Sequence, residues 1–552
     1  MALLNPKSTL QLDLPMALVD RLPVETLAHI FRALIALHHP NLHSAKRYKP
    51  WASIPNREVD ITLRWLPVTH VSQRWRAVAL HNALLWTTVY ADLGPSGTQE
   101  MLARSKGLPL DVQIDLKHAH AIPYALAQNM SRVVHLDLRV RDAKGLENLG
   151  SFLVAPAPAL ETCHLSFMDD HWAFDIEVGL FTGAIPRLRT LKLDVVKLKW
   201  TSCFAFCALR ELCVTGHTIS HVSNTPASDL DELLESLSQM PNLQSLSLID
   251  CLPRISMSDE EFWIMVEPGA DLEDRIDLLS LNTLDVRGGA TDIAALLPYL
   301  SVPATCKIDI TYDTPWDLFS NSTSDIDEFA PLLQRSVNIL DRPVERLAIR
   351  AGKKSYVLSL WTCTHPWPDT LPIPPGASHS RSACPAPPDL RIVSSRRILL
   401  GDKSVPFSVL HTDYEELPLG SVQIVDITDA SQVWEPERWA ALLSHMDDVR
   451  HIRVNCELGV DLAKGLKGEV APRLETLTMA DEYCFDDEFT AEMGELLEEL
   501  AQSLEQRAGS AVPLETLYFQ GYLPWVSDEI EERARVLGMG RLTSVETIGE
   551  SP

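Results

Sequence analysis

No stretch of this 552-residue sequence reaches about 18 consecutive apolar residues, the length that a membrane-spanning helix requires. Near the N-terminus, Asp13 and Pro15 interrupt the apolar residues that a secretory signal would need. The 10 cysteines do not show the regular spacing of a disulfide framework. We therefore expect an intracellular protein, cytoplasmic, nuclear or both, with no membrane partner.

Basic residues are scarce relative to acidic ones. Lys and Arg total 48 against 75 Asp and Glu, which gives a formal net charge of -27. Such a chain repels a phosphate backbone unless its basic residues are strongly segregated, and only short pairs such as Lys46-Arg47 and Arg396-Arg397 occur. The charge therefore argues against nucleic acid as a partner.

Catalytic motifs are also missing. The sequence has no G-x-S-x-G, no H-E-x-x-H, no P-loop and no G-x-G-x-x-G after a predicted strand. Cys203, Cys207, Cys213 and His217 lie close together, but their spacing does not match a known zinc knuckle. We expect a protein that is not an enzyme and that needs no cofactor or metal.

Apolar periodicity predicts a small helical unit near the N-terminus. Val24, Leu27, Phe31 and Leu34 share one face of a first helix, and Pro23 suits its first turn. A second helical pattern runs from Val68 to His81, and Leu84-Leu85-Trp86 closes the unit. A polar, proline-containing stretch separates the two helices and is expected to be an insertion loop.

These residues resemble the F-box of basidiomycete F-box proteins. The matching motifs are Leu22-Pro23-Val24-Glu25 with Leu27, Ile30 and Phe31, then Val68-Thr69-His70-Val71 through Arg74-Trp75-Arg76 to Val78-Ala79, then Leu84-Leu85-Trp86. The resemblance implies a three-helix module that binds a Skp-family adaptor and, through it, a cullin-RING ubiquitin ligase. The positions that match the family's adaptor-facing residues are Leu22, Pro23, Leu27, Ile30, Val71, Trp75, Leu84 and Trp86. The alternative is that several of them form the core of the module itself.

A different pattern begins near residue 130, where apolar residues recur at offsets 0, +3 and +5 after a short turn. Helical patterns lie between the copies, so strand and helix alternate along the chain. The copies are Val133/Leu136/Leu138, Leu160/Cys163/Leu165, Leu188/Leu191/Leu193, Leu209/Leu212/Val214, Leu243/Leu246/Leu248, Leu281/Leu284/Val286, Val344/Leu347/Ile349, Val449/Ile452/Val454, Leu474/Leu477/Met479 and Leu514/Leu517/Phe519. One such unit cannot bury its apolar face alone, so neighbouring units are expected to stack.

The predicted fold class is therefore α/β: a small all-helical F-box, then an irregular leucine-rich-repeat solenoid with parallel strands inside and helices outside. The F-box module is assigned to residues 15–92 with an insertion loop at about 38–61, and the connector and first strand to residues 93–129. Repeat regions follow at 130–362 and 391–552, separated by a proline-rich mobile insertion at 363–390. That insertion is alternatively a ligand for a proline-binding domain.

Side chains between the apolar anchors of each strand point away from the core and form a candidate substrate surface. Residue type favours Arg139, Lys192, Arg287, Arg350, Arg453 and Tyr518. An arginine row could bind an acidic or phosphorylated motif. The predicted function is a substrate receptor of a Skp-cullin-F-box ligase whose protein substrate is unknown. The alternatives are a repeat scaffold that acts without a ligase, and an enzyme with unrecognised catalytic residues.

Overall fold

The computed structural model describes most of the regular elements of the chain. The described residues are 22–38, 66–90, 93–116, 124–140, 149–167, 174–176, 181, 185–198, 206–216, 230–253, 275–313, 343–351, 355–362, 388–395, 419–429, 434–455, 458–467, 470–480, 495–503, 514, 516–520 and 544–548. The chain divides into two compact units, Met1–Val196 (unit 1) and Lys197–Pro552 (unit 2). The predicted insertion loop after His38 and the proline-rich residues 363–387 lie outside the described residues.

Unit 1 begins with a helical module. It consists of α1 (Val24–His38), a 3-10 helix (Leu66–His70), α2 (Gln73–His81) and a second 3-10 helix (Ala83–Trp86). Pro23 precedes the first turn of α1, and its carbonyl accepts a hydrogen bond from the Leu27 N–H. Ser72 caps α2, because its hydroxyl accepts a hydrogen bond from the Trp75 N–H at 3.2 Å.

Strands follow this module directly. Up to residue 198 they are β1 (Thr88–Tyr90), β2 (Leu110–Leu116), β3 (Val133–Val140), β4 (Thr162–Phe167), β5 (Phe174–Ile176), β6 (Thr190–Asp194) and β7 (Val196–Leu198). The strands β1, β2, β3, β4 and β6 pair side by side, all parallel. Strand β1 lies ahead of residues 93–129, where the first strand was expected, and its three residues are too few for the offset pattern to reveal.

Unit 2 contains a longer sheet. Its strands are β8 (Glu211–Thr215), β9 (Ser245–Ile249), β10 (Ile276–Asp277), β11 (Thr283–Gly288), β12 (Leu300–Ser301), β13 (Lys307–Asp313), β14 (Arg346–Ala351), β15 (Ser355–Trp361), β16 (Leu390–Ser395), β17 (Ile424–Asp429), β18 (His451–Asn455), β19 (Thr476–Ala480), β20 (Thr516–Gln520) and β21 (Ser544–Ile548). Neighbours in this sheet run β8-β9-β11-β13-β16-β15-β14-β17-β18-β19-β20-β21. The predicted mixed α/β fold, dominated by parallel strands, is confirmed.

Strand β15 departs from the expected parallel arrangement. It runs antiparallel to both of its neighbours, β14 and β16. Only residues 352–354 separate β14 from β15, and a parallel connection needs a dozen residues or more. The chain therefore turns back as a hairpin, which places β16 beside β13 and β14 beside β17.

The apolar anchors of the sequence pattern form the core of both units. In all ten predicted copies the +3 and +5 residues lie on strands, and nine copies have all three anchors buried. Corresponding anchors stand side by side, as Leu212, Leu246 and Leu284 do on β8, β9 and β11. Period-2 alternation then leaves the intervening residues on a polar face of the sheet.

A turn with a buried residue three positions before the first anchor recurs along the chain. The Leu160 N–H donates to the Ala157 carbonyl at 3.1 Å, and the Leu209 N–H donates to the Phe206 carbonyl at 2.9 Å. The same bond joins Leu188 to Ile185, Leu243 to Met240, Leu281 to Leu278, Val422 to Leu419, Val449 to Met446 and Leu474 to Ala471. The structural repeat thus extends over offsets −3, 0, +3 and +5.

Helices lie between these strands, as the sequence pattern predicts. They are α3 (Gly94–Arg104), α4 (Tyr124–Ala127) and α5 (Leu149–Val154) in unit 1, then α6 (Leu230–Ser238), α7 (Ala290–Leu296), α8 (Pro436–Ser444) and α9 (Gly459–Gly465) in unit 2, with residues 495–503 also helical. Short 3-10 helices occur at Met130–Arg132 and Leu297–Tyr299. This alternation of strand and helix is consistent with a repeat solenoid.

Candidate interaction surfaces

The helical module of unit 1 has its own small core. Leu27 and Phe31 of α1 are fully buried, and the Phe31 ring lies 5.3 Å from the Trp75 ring of α2. Trp86 is also buried, and its indole N–H donates to the Ala79 carbonyl at 3.0 Å. Among the residues matched to adaptor contacts, Leu27 and Trp86 therefore serve the module's internal packing.

Other matched residues of the module point to solvent. Val71 is 58% exposed, Leu84 is 49% exposed and Ile30 is 40% exposed. Pro23 is exposed, whereas Leu22 and Trp75 are half-buried. Val24, which the motif contains but the adaptor-facing set does not, is exposed as well.

Exposed apolar side chains are concentrated in this part of the protein. Within the described ranges, six large apolar residues are exposed: Val24, Ile30, Val71, Leu84, Leu93 and Leu279. Four of them belong to the helical module and Leu93 follows it directly, so only Leu279 lies elsewhere. Apolar residues that stay exposed in one small module are typical of a binding surface.

Two polar groups of the same module, on Arg74 and Trp75, differ in their hydrogen bonding. The Arg74 guanidinium donates to the Leu22 carbonyl and so joins the start of α1 to α2. The Trp75 indole N–H is buried and has no acceptor among the residues that the structure describes. A buried donor without an acceptor costs free energy.

The polar strand face of unit 1 carries a charged cluster centred on His164 of β4. The His164 Nε2 lies 2.8 Å from Asp194 Oδ2, and Nδ1 lies 3.3 Å from Asp137 Oδ1. Burial disfavours the imidazolium, but the hydrogen bonds and charges of Asp137 and Asp194 outweigh burial and raise the pKa of His164 to about 9. His164 is therefore a cation at neutral pH.

The same cluster holds Asp137 ionised. Burial alone would raise the pKa of Asp137, but the hydrogen bond from His164 and the charge of Arg139 lower it. Arg139, a substrate-contact candidate, contacts Asp137 at 3.0 Å. Lys192, another candidate, occupies the position beside His164 on β6 and is half-buried.

The remaining candidates lie on the polar face of unit 2, on separate strands. Arg287 of β11 lies 3.7 Å from Asp250, and Tyr518 of β20 is half-buried next to Thr478 of β19. Arg350 of β14 is exposed and stands beside Thr428 of β17. The arginines of unit 2 thus do not form one continuous row.

Two arginines of unit 2 do converge, on a carboxylate that the sequence pattern missed. Asp426 of β17 lies between Arg346 of β14 and Arg453 of β18, at 3.7 Å from Arg346 Nη2 and 3.2 Å from Arg453 Nη1. The Arg346 guanidinium also stacks 4.6 Å from the Trp361 ring of β15. Residues Val422, Val425 and Ile427 fit the 0, +3, +5 pattern and could have revealed this strand and its polar residue Asp426.

Neither a metal site nor a membrane-spanning helix is present among the described residues. Within those residues, no three His, Cys, Asp or Glu side chains are grouped so that they could hold a metal ion. Cys207 and Cys213 are not joined in disulfides, while Cys203 and His217 lie outside the described ranges. No described helix combines the length and the apolar character needed to cross a membrane.

Comparison with known proteins gives little beyond the geometry. No protein-family model matches the chain. No curated protein matches it. Among solved structures, the leucine-rich repeat-containing protein LegL7 from Legionella pneumophila is similar at 12% identity, covering 73% of this chain and 88% of that chain, with a TM-score of 0.23. A likeness this slight carries no argument.

Proposed function

We propose that this protein is a substrate receptor that binds a Skp-family adaptor through its N-terminal module and a protein partner through the polar face of its repeats. The observation that carries the proposal is the concentration of exposed apolar side chains in the helical module. A module this small hides Leu27, Phe31 and Trp86 inside and leaves Ile30, Val71 and Leu84 outside. A partner protein would bury these exposed residues.

The resemblance to the F-box supports the choice of partner. The exposed Ile30, Val71 and Leu84 all coincide with positions at which that family contacts its adaptor. The Trp75 N–H, which has no acceptor among the described residues, would gain one if the adaptor supplied a carbonyl or carboxylate there. A cullin-RING ligase would join through the adaptor, so this chain would position a substrate without reacting with it.

Adaptor affinity of an Ile30→Gln, Val71→Gln double variant tests the proposal. Both residues are exposed, so the thermal unfolding of the variant should match that of the wild type. Loss of two interface anchors should weaken adaptor binding by about thirtyfold or more, which corresponds to about 2 kcal/mol. The measurement is calorimetric titration of the full chain with a purified Skp-family adaptor.

Two control variants separate binding from folding. Leu279→Gln changes an even more exposed apolar residue outside the module and should bind the adaptor as the wild type does. Leu27→Ala opens a cavity in the module core and should lower its stability by about 2–5 kcal/mol. Unchanged adaptor binding by the double variant, or no binding by the wild type, would refute the adaptor role.

The second candidate function is a repeat scaffold that acts without a ligase. The extended polar face of the strands favours it, because that face exists whether or not the N-terminal module binds an adaptor. Affinity purification from cells distinguishes the two functions. Recovery of the adaptor together with a cullin supports the receptor, whereas recovery of partner proteins without a cullin supports the scaffold.

A further inference from the structure

Asp426 carries a single negative charge that two arginines share. Its side chain is 4% exposed, and the side chain of Arg453 is 12% exposed, so water reaches both groups poorly. Arg346 approaches the other carboxylate oxygen. Because Arg453 shares this carboxylate, its own charge is only partly compensated.

Two other ion pairs on the same sheet each join one cation to one carboxylate. Arg391 of β16 lies 3.0 Å from Asp309 of β13, and Lys307 of β13 contacts Asp389. Within the described part of the chain, the Arg453 side chain has no polar contact besides that from Nη1 to Asp426. Its Nε is buried without an acceptor, so the donors that a ligand could use are those of Nη2.

Arg350 adds a second positive charge next to this arginine. It lies on the same face of β14 as Arg346, is exposed, and makes no ion pair with any described residue. The strand β17 lies between β14 and β18, and Thr428 of β17 stands beside Arg350 while Asp426 stands beside Arg453. Two strand spacings of about 4.8 Å and one two-residue step of about 6.6 Å place the two arginine Cα atoms roughly 12 Å apart. Arg350 and Arg453 thus lie on the same face of the sheet, on the two strands that flank β17.

We infer that Arg350, Thr428 and Arg453 form a binding site for a phosphoryl group carried by a protein partner. A phosphoryl group brings a charge of about −1.5 to −2 and three acceptor oxygens, which two guanidiniums and a hydroxyl can satisfy together. A single carboxylate offers less charge and fewer acceptors. The net charge of -27 disfavours a nucleic acid, because its many phosphates would be repelled by an acidic chain.

The partner of the repeats would thus be a phosphorylated protein. Its binding does not depend on adaptor binding by the N-terminal module. The two can therefore fail separately. If the chain does not bind the adaptor but binds a phosphopeptide, the phosphoryl site stands and the adaptor role is refuted. If it binds the adaptor but no phosphopeptide, the adaptor role stands and the phosphoryl site is refuted.

The test uses the full chain with four probes: inorganic phosphate, a blocked phosphoserine tripeptide, its unphosphorylated form and a short oligonucleotide. We expect the phosphoserine tripeptide to bind at least as tightly as phosphate and the serine tripeptide not to bind, by calorimetric titration at constant ionic strength. Arg350→Gln should weaken phosphoserine binding roughly tenfold without changing thermal stability, since Arg350 is exposed and pairs with no described residue. Arg391→Gln, which breaks a one-to-one pair elsewhere on the sheet, should leave binding unchanged.

Asp426→Asn provides a result that a purely structural cluster would not give. The variant should unfold at a lower temperature without ligand, because two largely buried arginines lose their shared carboxylate. Phosphate should nevertheless bind it more tightly and raise its unfolding temperature more than that of the wild type. If Asp426→Asn does not fold, Arg350→Gln and Arg391→Gln still decide the question.

Three outcomes would overturn the inference. The first is a wild type that binds neither phosphate nor the phosphoserine tripeptide. The second is an equal loss of binding in Arg350→Gln and Arg391→Gln, which indicates nonspecific attraction. The third is tighter binding of a short oligonucleotide than of the phosphoserine tripeptide, which contradicts a protein partner.

Discussion

Arg132 should contribute more to stability than any surface arginine, because its side chain forms hydrogen bonds that join the end of α3 to the turn before β3. Its Nη1 donates to the Ser105 hydroxyl and the Leu108 carbonyl, both at 3.0 Å, and its Nη2 donates to the Leu102 carbonyl at 3.1 Å. Its Nε donates to Asn129 Oδ1 at 3.0 Å. Burial lowers the pKa of Arg132, yet an arginine remains charged at neutral pH.

Arg132→Ala removes all four contacts at once. Hydrogen bonds to a charged group contribute about 1.5–3 kcal/mol each, but Arg132 is half-buried and water can replace part of them. We therefore expect a loss of about 2–4 kcal/mol in the free energy of unfolding of unit 1. Arg132→Lys should restore less than half of this loss, because an ammonium cannot contact several separate acceptors in the fixed fork of a guanidinium.

Hydrogen exchange measured by mass spectrometry, combined with urea unfolding, checks this expectation. Amides of residues 101–110 should exchange faster in Arg132→Ala, while amides of residues 496–503 should not change. Arg473→Ala is the matched control, since Arg473 pairs with Asp448 on the exposed surface and should contribute no more than about 1 kcal/mol. Equal destabilisation by the two variants would refute the role assigned to Arg132.

Two further predictions concern the charged cluster of unit 1 and the core of unit 2. His164 has a folded-state pKa raised to about 9, above the value of about 6.5 expected when unfolded, so its stabilisation is complete below pH 6.5 and is lost as the pH rises through 9. Urea unfolding between pH 7 and 10 should show this loss in the wild type and not in His164→Gln; parallel curves would contradict it. Leu246→Ala should destabilise unit 2 by about 2–5 kcal/mol, because Leu246 is fully buried between Leu212 and Leu284, whereas Ser247→Ala on the polar face should change thermal unfolding little. Similar unfolding of the two variants would show that the anchors do not form the core.

The ten strands that carry the predicted copies were visible in the sequence because each one repeats the same local requirement. A buried strand residue alternates with a polar one, so the offsets recur in each of these strands. Leu191 and Leu193 of β6 show this pattern as clearly as Leu246 and Leu248 of β9. Hydrophobic periodicity is a local property, and the strands it marks are therefore visible without a structure.

Strand order was not predictable in the same way. The pairing of β13 with β16 and of β14 with β17 depends on the reversal of chain direction between β14 and β15. The alternation of apolar and polar residues is the same in parallel and antiparallel strands, so the sequence of β15 does not show that it is antiparallel. Side chains 80 residues apart in sequence, such as Arg346 and Asp426, meet only through this order.

The candidate surfaces differ in how far the sequence could reveal them. For the helical module, the motif supplied a set of apolar residues but did not separate the buried Leu27 from the exposed Ile30, because both lie near one face of α1. The packing of Phe31 against Trp75 determines which side of α1 is buried against α2. Only the structure shows which apolar residues remain for a partner.

On the polar face of unit 2, the surroundings of each arginine depend on which strand lies beside it. Arg350 and Arg453 were recognisable as strand positions between apolar anchors, but their surroundings depend on β17, whose anchors Val422, Val425 and Ile427 were not singled out. Once β17 is in place, its alternation puts Asp426 and Thr428 on the polar face between the two arginines. The hairpin that reverses β15 also brings Trp361 against Arg346, so the same departure from a regular repeat both interrupts the parallel sheet and positions an arginine that contacts Asp426. An irregular repeat can therefore create recognition chemistry that a regular one, with identical neighbours on every strand, would not contain.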